Sequence, residues 1–348
     1  MVIFLTPIAA SPTFLGSGAD QMQGTERSEL RGKVLDGRYR VGDVLGIGGT
    51  AVVFEAERLD DGEIVVIKVL RPTFVDNPDL VRRLRRELEV YRNVSHPGVV
   101  PILDEGSLMG FPGADGSPYL VVERVYGECL QRLLRRTGTL SADLVGAITM
   151  RVASILHAAH SHGYVHRDVK PEHILMDKDE NGWLRVRLLD FGVCSSLRAP
   201  KDEREREIGR VFGTPSYVSP EQASGDPEVD ARADVFGLGI VMFEALTGRL
   251  PFSGSNVANL LRRIIREDAP RAALIRQDLH HAFDSVVATA LARDPEDRFP
   301  SMRSLSRALT PIVADRRSVD QRLIDLLRFE SPRGPGVVTA RDLRIVAA

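Results

Sequence analysis

The sequence predicts an α+β protein with a strand-rich first lobe and a mainly helical second lobe. Up to residue 123 the apolar residues come in short runs bounded by Gly, Pro and Asp, which is the pattern of strands. After Gly127 they recur at helical spacing. The size supports the same division. A chain of 348 residues with 43% hydrophobic content can bury a large core in two lobes, or in one domain with appendages, and is not wholly disordered.

In chain order, residues 1–37 read as a flexible leader, because 1–31 mix Pro, Ser, Gly and Gln with scattered apolar residues and no sustained period. Strands are expected over Tyr39–Leu45, Val52–Glu57, Ile64–Leu70, Ile102–Glu105 and Tyr119–Glu123. Asp60-Asp61-Gly62 supplies a hairpin turn, and Gly110–Pro118 a longer loop. Leu80, Leu84, Leu88 and Tyr91 place one helix inside this lobe, its exposed face lined with Arg82, Arg83, Arg85 and Arg86. In the second lobe, Leu144, Ile148, Val152, Ile155 and Leu156 form one face of a helix ending near Gly163. Asn181-Gly182 marks a second hairpin before Asp190. Residues 234–246 are apolar on nearly every side, as in a helix buried in a helical lobe, and helical patterns run on to Leu309. The tail, 312–348, has one amphipathic stretch, Val319–Leu327, expected to pack on the helical lobe rather than on a membrane or partner. Pro332-Arg333-Gly334-Pro335 then interrupts any regular structure. There is no internal repeat.

Several function classes drop out. A formal net charge of -2 argues against an electrostatically driven nucleic-acid binder. The longest apolar run, Val235 to Phe243, is too short to span a bilayer, and no basic residue precedes apolar residues 2–5 as a secretory signal requires. Two cysteines, Cys129 and Cys194, exclude a disulfide framework and fit a reducing cytosol. The expectation is a soluble cytoplasmic protein with no nucleic-acid partner and no membrane span. Nothing in the sequence sets an oligomeric state.

The chemistry-bearing motifs fall in a fixed order. Gly46-Ile47-Gly48-Gly49-Thr50-Ala51-Val52-Val53 lies between two expected strands, where glycines let a backbone turn approach phosphates; a purely structural Gly-rich hairpin reads the same way. Lys68 sits on the apolar strand Val65–Val69. Either it snorkels from an edge or it is buried with a partner, for which Glu87 of the following helix is the natural carboxylate. His166-Arg167-Asp168-Val169-Lys170-Pro171-Glu172-His173 follows, then Asp190-Phe191-Gly192, Gly213-Thr214-Pro215 and Ser219-Pro220-Glu221.

From Tyr39 to Leu309 this ordered set resembles a serine/threonine protein kinase, most closely the eukaryotic-like kinases of bacteria. The resemblance implies the bilobal protein kinase fold, with an N-lobe over 38–123, a C-lobe over 124–311 and ATP in the cleft. It implies ATP and Mg²⁺ as cofactors, protein substrates, and transfer of the γ-phosphate to Ser or Thr, autophosphorylation included. On that likeness Asp168 accepts the proton of the substrate hydroxyl, and Lys170 neutralises the transferring phosphoryl group. Lys68, held by Glu87, binds the nucleotide's phosphates, and Asp190 chelates the metal. The glycine loop, including Gly46, Ile47, Gly48, Gly49, Thr50, Ala51 and Val53, covers the nucleotide. Val66 lies above the adenine, Val122 is the gatekeeper, and the backbones of Glu123 and Val125 bind the base. Thr214 links Asp168 to the peptide ledge, while Asp234 and the pair Glu221–Arg298 are structural. Glu172 hints at basic residues near the acceptor.

Three positions depart from the family pattern. His173 stands where the family has the Asn that gives an amide oxygen to the second metal. Imidazole suits Mn²⁺ better than Mg²⁺, and a protonated His173 would repel a cation. The expectation is therefore activity favouring Mn²⁺, with His173→Asn raising the Mg²⁺-dependent rate. A nucleotide-binding pseudokinase acting as a scaffold or allosteric partner is the alternative. Val66 replaces a small Ala and Ala51 a third glycine. The segment Lys201–Glu207 holds no Ser or Thr. It is either a solvated charged loop, or one in which Glu205 or Glu207 takes the place of a phosphate beside Arg167. His157, His160, His162 and His166 are close in sequence but not placed to converge on zinc, and Cys194 is expected to line the nucleotide pocket as a small packed thiol.

Overall fold

The computed structural model describes residues 30–111, 114–179, 181–197, 213–313 and 316–328. They form two compact units: a strand-rich one of residues 30–92 and 100–125, and a helical one of residues 93–99 and 126–328.

The strand-rich unit is an antiparallel sheet of β1 (Val34–Leu35), β2 (Tyr39–Ile47), β3 (Ala51–Arg58), β4 (Ile64–Leu70), β5 (Ile102–Ser107) and β6 (Pro118–Glu123), in the order β1-β2-β3-β4-β6-β5. Alternation sorts its residues into two faces, because residues directly opposite one another on neighbouring strands share a face. Val52, Phe54 and Ala56 lie opposite Val69, Ile67 and Val65, and all six are buried in one core. The other face carries Ala51 opposite Leu70, Val53 opposite Lys68 and Glu55 opposite Val66. Helix α1 (Pro78–Asn93) is in contact with that face through Leu84 and Leu88, which cluster with Leu70 and Leu120. The sheet begins inside the expected leader. Leu30 and Leu35 are buried in the sheet core, and a two-residue strand is too short to leave a period in the sequence. Residues 1–29 lie outside the described residues.

The helical unit contains α2 (Leu130–Thr137), α3 (Ala142–Ser161), α4 (Pro220–Ser224), α5 (Arg232–Thr247), α6 (Val257–Arg266), α7 (His281–Ala290), α8 (Met302–Leu309) and α9 (Arg316–Leu326). Helix α5 is buried on nearly every side, which is why its sequence shows no polar face. Among the described residues α3 alone is long and apolar enough to cross a bilayer, but Val152, Ile155 and Leu156 are packed in the core of this unit. Short ladders complete the unit: β7 (Glu128–Cys129), β9 (Ile174–Lys178) and β10 (Leu184–Leu188) form one sheet, and β8 (Tyr164–Val165) pairs with β11 (Ser195–Ser196). The β9–β10 hairpin turns at Asn181-Gly182, with Gly182 at φ +78°.

A linear division after residue 123 misassigns one segment. Residues 93–99 belong to the helical unit, where Asn93 Nδ2 donates to the Tyr164 hydroxyl at 2.9 Å and Leu188 N–H donates to Gly98 O at 2.8 Å. A Cβ at Gly98 would lie 2.4 Å from Ile155 Cδ1 and 2.9 Å from the backbone oxygen of Val186, so a larger residue there would force the segment away from the helical unit. The tail stretch is α9, packed on the helical unit. Val319 and Leu323 are buried, Arg151 Nη2 meets Asp320 at 2.5 Å, and Arg136 Nη2 donates to Leu326 O at 2.6 Å. Leu323→Ala should therefore lower stability by about 2–5 kcal/mol, measured by urea denaturation. An unchanged transition would mean that α9 is an ornament on the unit rather than part of its core.

Candidate active site

In the strand-rich unit the phosphate-binding candidates lie on the sheet face opposite the core. Gly46 and Ile47 end β2, Gly48, Gly49 and Thr50 make the turn, and Ala51 opens β3; Gly48 N–H closes the hairpin onto Ala51 O at 2.8 Å. The pairings Gly46↔Val53↔Lys68 and Val66↔Val122 put these side chains on one surface, with Val53, Lys68, Val66 and Val122 only partly buried. Ala51 belongs to the same face. Because α1 contacts that face, Glu87 reaches Lys68: both carboxylate oxygens lie 2.9 Å from Nζ, and the Tyr91 hydroxyl donates to Oε1 at 3.1 Å. Glu87 is buried, so the ammonium is what makes its charge tolerable there. Lys68 is therefore paired rather than snorkelling. Glu123 N–H donates to Pro101 O at 3.2 Å, and Val125 O, beyond the end of β6, accepts from Arg124 Nη1 at 3.2 Å.

In the helical unit the remaining candidates converge on one loop between β8 and β9. Asp168 Oδ1 accepts Thr214 N–H at 2.7 Å, and Oδ2 lies 3.1 Å from Lys170 Nζ, which also donates to Thr214 Oγ1 at 2.7 Å. Gly213 makes this approach feasible. Its φ is +97°, and a Cβ there would sit 2.7 Å from Arg167 O. Burial alone pushes the Asp168 carboxyl upward, yet the Lys170 charge, His173 and the Thr214 N–H hold it below the usual range, so it is ionised at neutral pH.

The loop is held by its backbone. Asp234 accepts His166 N–H at 2.8 Å and Arg167 N–H at 2.7 Å. This sustains Arg167 at φ +64°, a left-handed conformation that costs on the order of 1 kcal/mol or more in a residue other than glycine. Two supports were not anticipated. His160 Nε2 lies 2.7 Å from Asp234 Oδ2, and Gln222 Nε2 donates to Arg167 O at 2.9 Å. The second had a visible signal, since Ser219 and Gln222 form a capping box at the start of α4. Glu221 and Arg298 make a two-point ion pair at 2.8 Å, with Arg298 buried. Arg167 Nε donates to Val193 O at 2.9 Å; Glu205 and Glu207 lie outside the described residues.

The departure at 173 takes a specific form. The His173 ring is buried, with Nδ1 3.0 Å from the Asp168 carbonyl and Nε2 3.8 Å from Asp190 Oδ2. Asp190 Oδ1 accepts Gly192 N–H at 3.1 Å. Burial, reinforced by the Lys170 charge, lowers the imidazole pKa to about 4. The ring is therefore neutral at pH 7, and the expected repulsion between an imidazolium and a cation does not arise. Asp190 offers an oxygen donor suited to a divalent ion, and His173 a neutral nitrogen beside it. The residues fit a cation, though not one limited to oxygen ligands. A stability consequence follows. Between pH 6.5 and about 4 the unfolded chain takes up a proton that the buried ring refuses, so stability falls as pH falls through that window. His173→Asn should lose roughly 2 kcal/mol less than the parent between pH 7 and pH 5, measured by urea denaturation at both values. Equal losses would show that the ring is protonated in the fold.

The sheet, the helical unit and this loop define the class. The protein kinase domain family matches residues 39–309, and the chain belongs to that family, whose members use ATP and a divalent metal ion. Its relatives include the serine/threonine-protein kinase pkn3 of Myxococcus xanthus, 32% identical over 86% of this chain and 54% of its own length. PknE of Mycobacterium bovis is 35% identical over 88% of this chain and 51% of its own, and PknH of Mycobacterium tuberculosis 36% over 80% and 42%. The chain thus spans about half the length of the curated relatives it matches.

Proposed function

We propose that this chain transfers the γ-phosphate of ATP to serine or threonine hydroxyls of proteins, itself included. The observation that carries the reading is the Asp168–Lys170–Thr214 cluster, in which an ionised carboxylate is fixed through one oxygen and leaves the other facing a lysine. Asp168 Oδ2 orients the acceptor hydroxyl and takes its proton as the oxygen attacks phosphorus. Lys170 stabilises negative charge on the transferring group, and Lys68, steadied by Glu87, holds the nucleotide's phosphates. Asp190 would hold the divalent ion, which neutralises phosphate charge when bound. Lys68, Asp168 and Asp190 are all retained, which favours the enzyme over the pseudokinase alternative. Both cysteines are buried and neither is in a disulfide, in keeping with a reducing cytoplasm and a role in signalling there.

Acceptor preference has a physical basis as well. Glu244, whose hydroxyl partner is Tyr217 at 2.7 Å, is held above the usual carboxylate range by burial and by the negative charge of Glu172. Glu172, in the loop that carries Asp168 and Lys170, would favour a basic side chain near the acceptor. The test is incubation with γ-labelled ATP and Mg²⁺ or Mn²⁺, followed by phosphoamino-acid analysis. Labelled phosphoserine or phosphothreonine is the expected product. Nucleotide binding without label on any protein would support the scaffold instead.

A further inference from the structure

We infer that Tyr91 is a positioning residue for the phosphate-binding lysine: its hydroxyl takes over one oxygen of Glu87 when Lys68 turns toward the nucleotide's phosphates. The inference rests on the proposed role of Lys68 and specifies what frees that ammonium to act.

The ion pair engages more of the lysine than phosphate binding can spare. Both oxygens of Glu87 lie 2.9 Å from Lys68 Nζ. An ammonium has three N–H groups and no acceptor, so a two-point pair occupies two of them and leaves one for phosphate. Releasing Oε1 makes a second available. Lys68 is the partner that can move, since 21% of its side chain is exposed against 2% for Glu87. Burial, however, keeps bulk water from Glu87, and a carboxylate oxygen at that depth is costly to deprive of a donor.

The Tyr91 hydroxyl is already in place to serve. It lies 3.1 Å from Oε1 and is the donor of that bond, because an ionised carboxylate only accepts. Helix geometry puts it there. Tyr91 follows Glu87 by four residues on α1, and a long helical side chain leans back over the preceding turn. Packing against Leu70, Leu84, Leu88 and Leu120 fixes the ring. The ammonium can therefore pivot on Oε2 while the phenol retains Oε1. A phenylalanine would fill the same space and donate nothing.

The test is calorimetric titration of the full chain with ADP plus Mg²⁺ and, separately, with adenosine. Tyr91→Phe keeps the packed ring and removes only the donor. It should weaken ADP binding by about tenfold and leave adenosine binding as in the parent, because adenosine has no phosphate for Lys68 to meet. In a Lys68→Met background the same substitution should change neither ligand, since there is no ammonium to release. Adenosine affinity reports at the same time that each variant is folded. An unchanged preference for ADP over adenosine in Tyr91→Phe overturns the inference. So does an equal loss of both ligands, or a loss for ADP that persists undiminished in Lys68→Met. The kinase proposal is judged apart, by transfer from γ-labelled ATP. Transfer by the parent with no ADP-specific loss in Tyr91→Phe would sink this inference alone. An ADP-specific loss without any transfer would sink the kinase proposal alone.

Discussion

Asp168→Asn is expected to reduce phosphate transfer by about a thousandfold while leaving the fold and nucleotide binding intact. The substituted side chain keeps an oxygen that can accept Thr214 N–H, so the peptide ledge should stay where Asp168 Oδ1 now holds it. What is lost is the second oxygen's charge. An amide cannot take the proton of an attacking hydroxyl, nor does it complement Lys170 at 3.1 Å. Residual transfer arises from positioning alone, which Lys170 and Lys68 still provide. The measurements are single-turnover transfer from labelled ATP and, beside it, a thermal shift with nucleotide. A variant that still transferred phosphate at more than a tenth of the parent rate would remove Asp168 from the chemistry.

The second large effect is on stability. Arg298→Ala should destabilise the helical unit by about 3–5 kcal/mol. The guanidinium has no exposed surface, meets both oxygens of Glu221 at 2.8 Å, and donates further to Ala292 O at 2.8 Å and Arg293 O at 2.9 Å. Its plane also lies 4.8 Å from the Phe236 ring centre. Removing it strands a mostly buried carboxylate at the start of α4 and leaves several carbonyls unsatisfied at once. Equilibrium denaturation reports the loss. A companion variant, Glu221→Gln, should cost less, because an amide still accepts from one N–H. If Arg298→Ala cost under 1 kcal/mol, the pair would be a surface contact in energetic terms.

Much of the arrangement was legible from residue order because the signals were local. Strand alternation identified Lys68 as an ammonium on an apolar strand, and the helical spacing of α1 offered Glu87 as its partner; the two meet at 2.9 Å. The loop from His166 to His173 and the turn at Asn181-Gly182 were equally readable, since each rests on its own residue types. What escaped notice depends on long-range packing. Residues 93–99 join the helical unit because Gly98 fits under Ile155, a match that no local pattern announces. His160 reaches Asp234 across 74 residues of sequence. The charge of His173 was the subtlest case. Its identity predicted a switchable cation, but burial and the position of the Asp168 carbonyl decide that the ring stays neutral and which nitrogen keeps the proton.

The left-handed turn at Arg167 is clamped by Asp234 through the peptide N–H groups of residues 166 and 167, while Asp168, Lys170 and the His173 ring add side-chain bonds of their own. A turn fastened through its main chain tolerates change in the side chains around it. Such a frame lets an amide give way to an imidazole at one position without rebuilding the clamp beneath it.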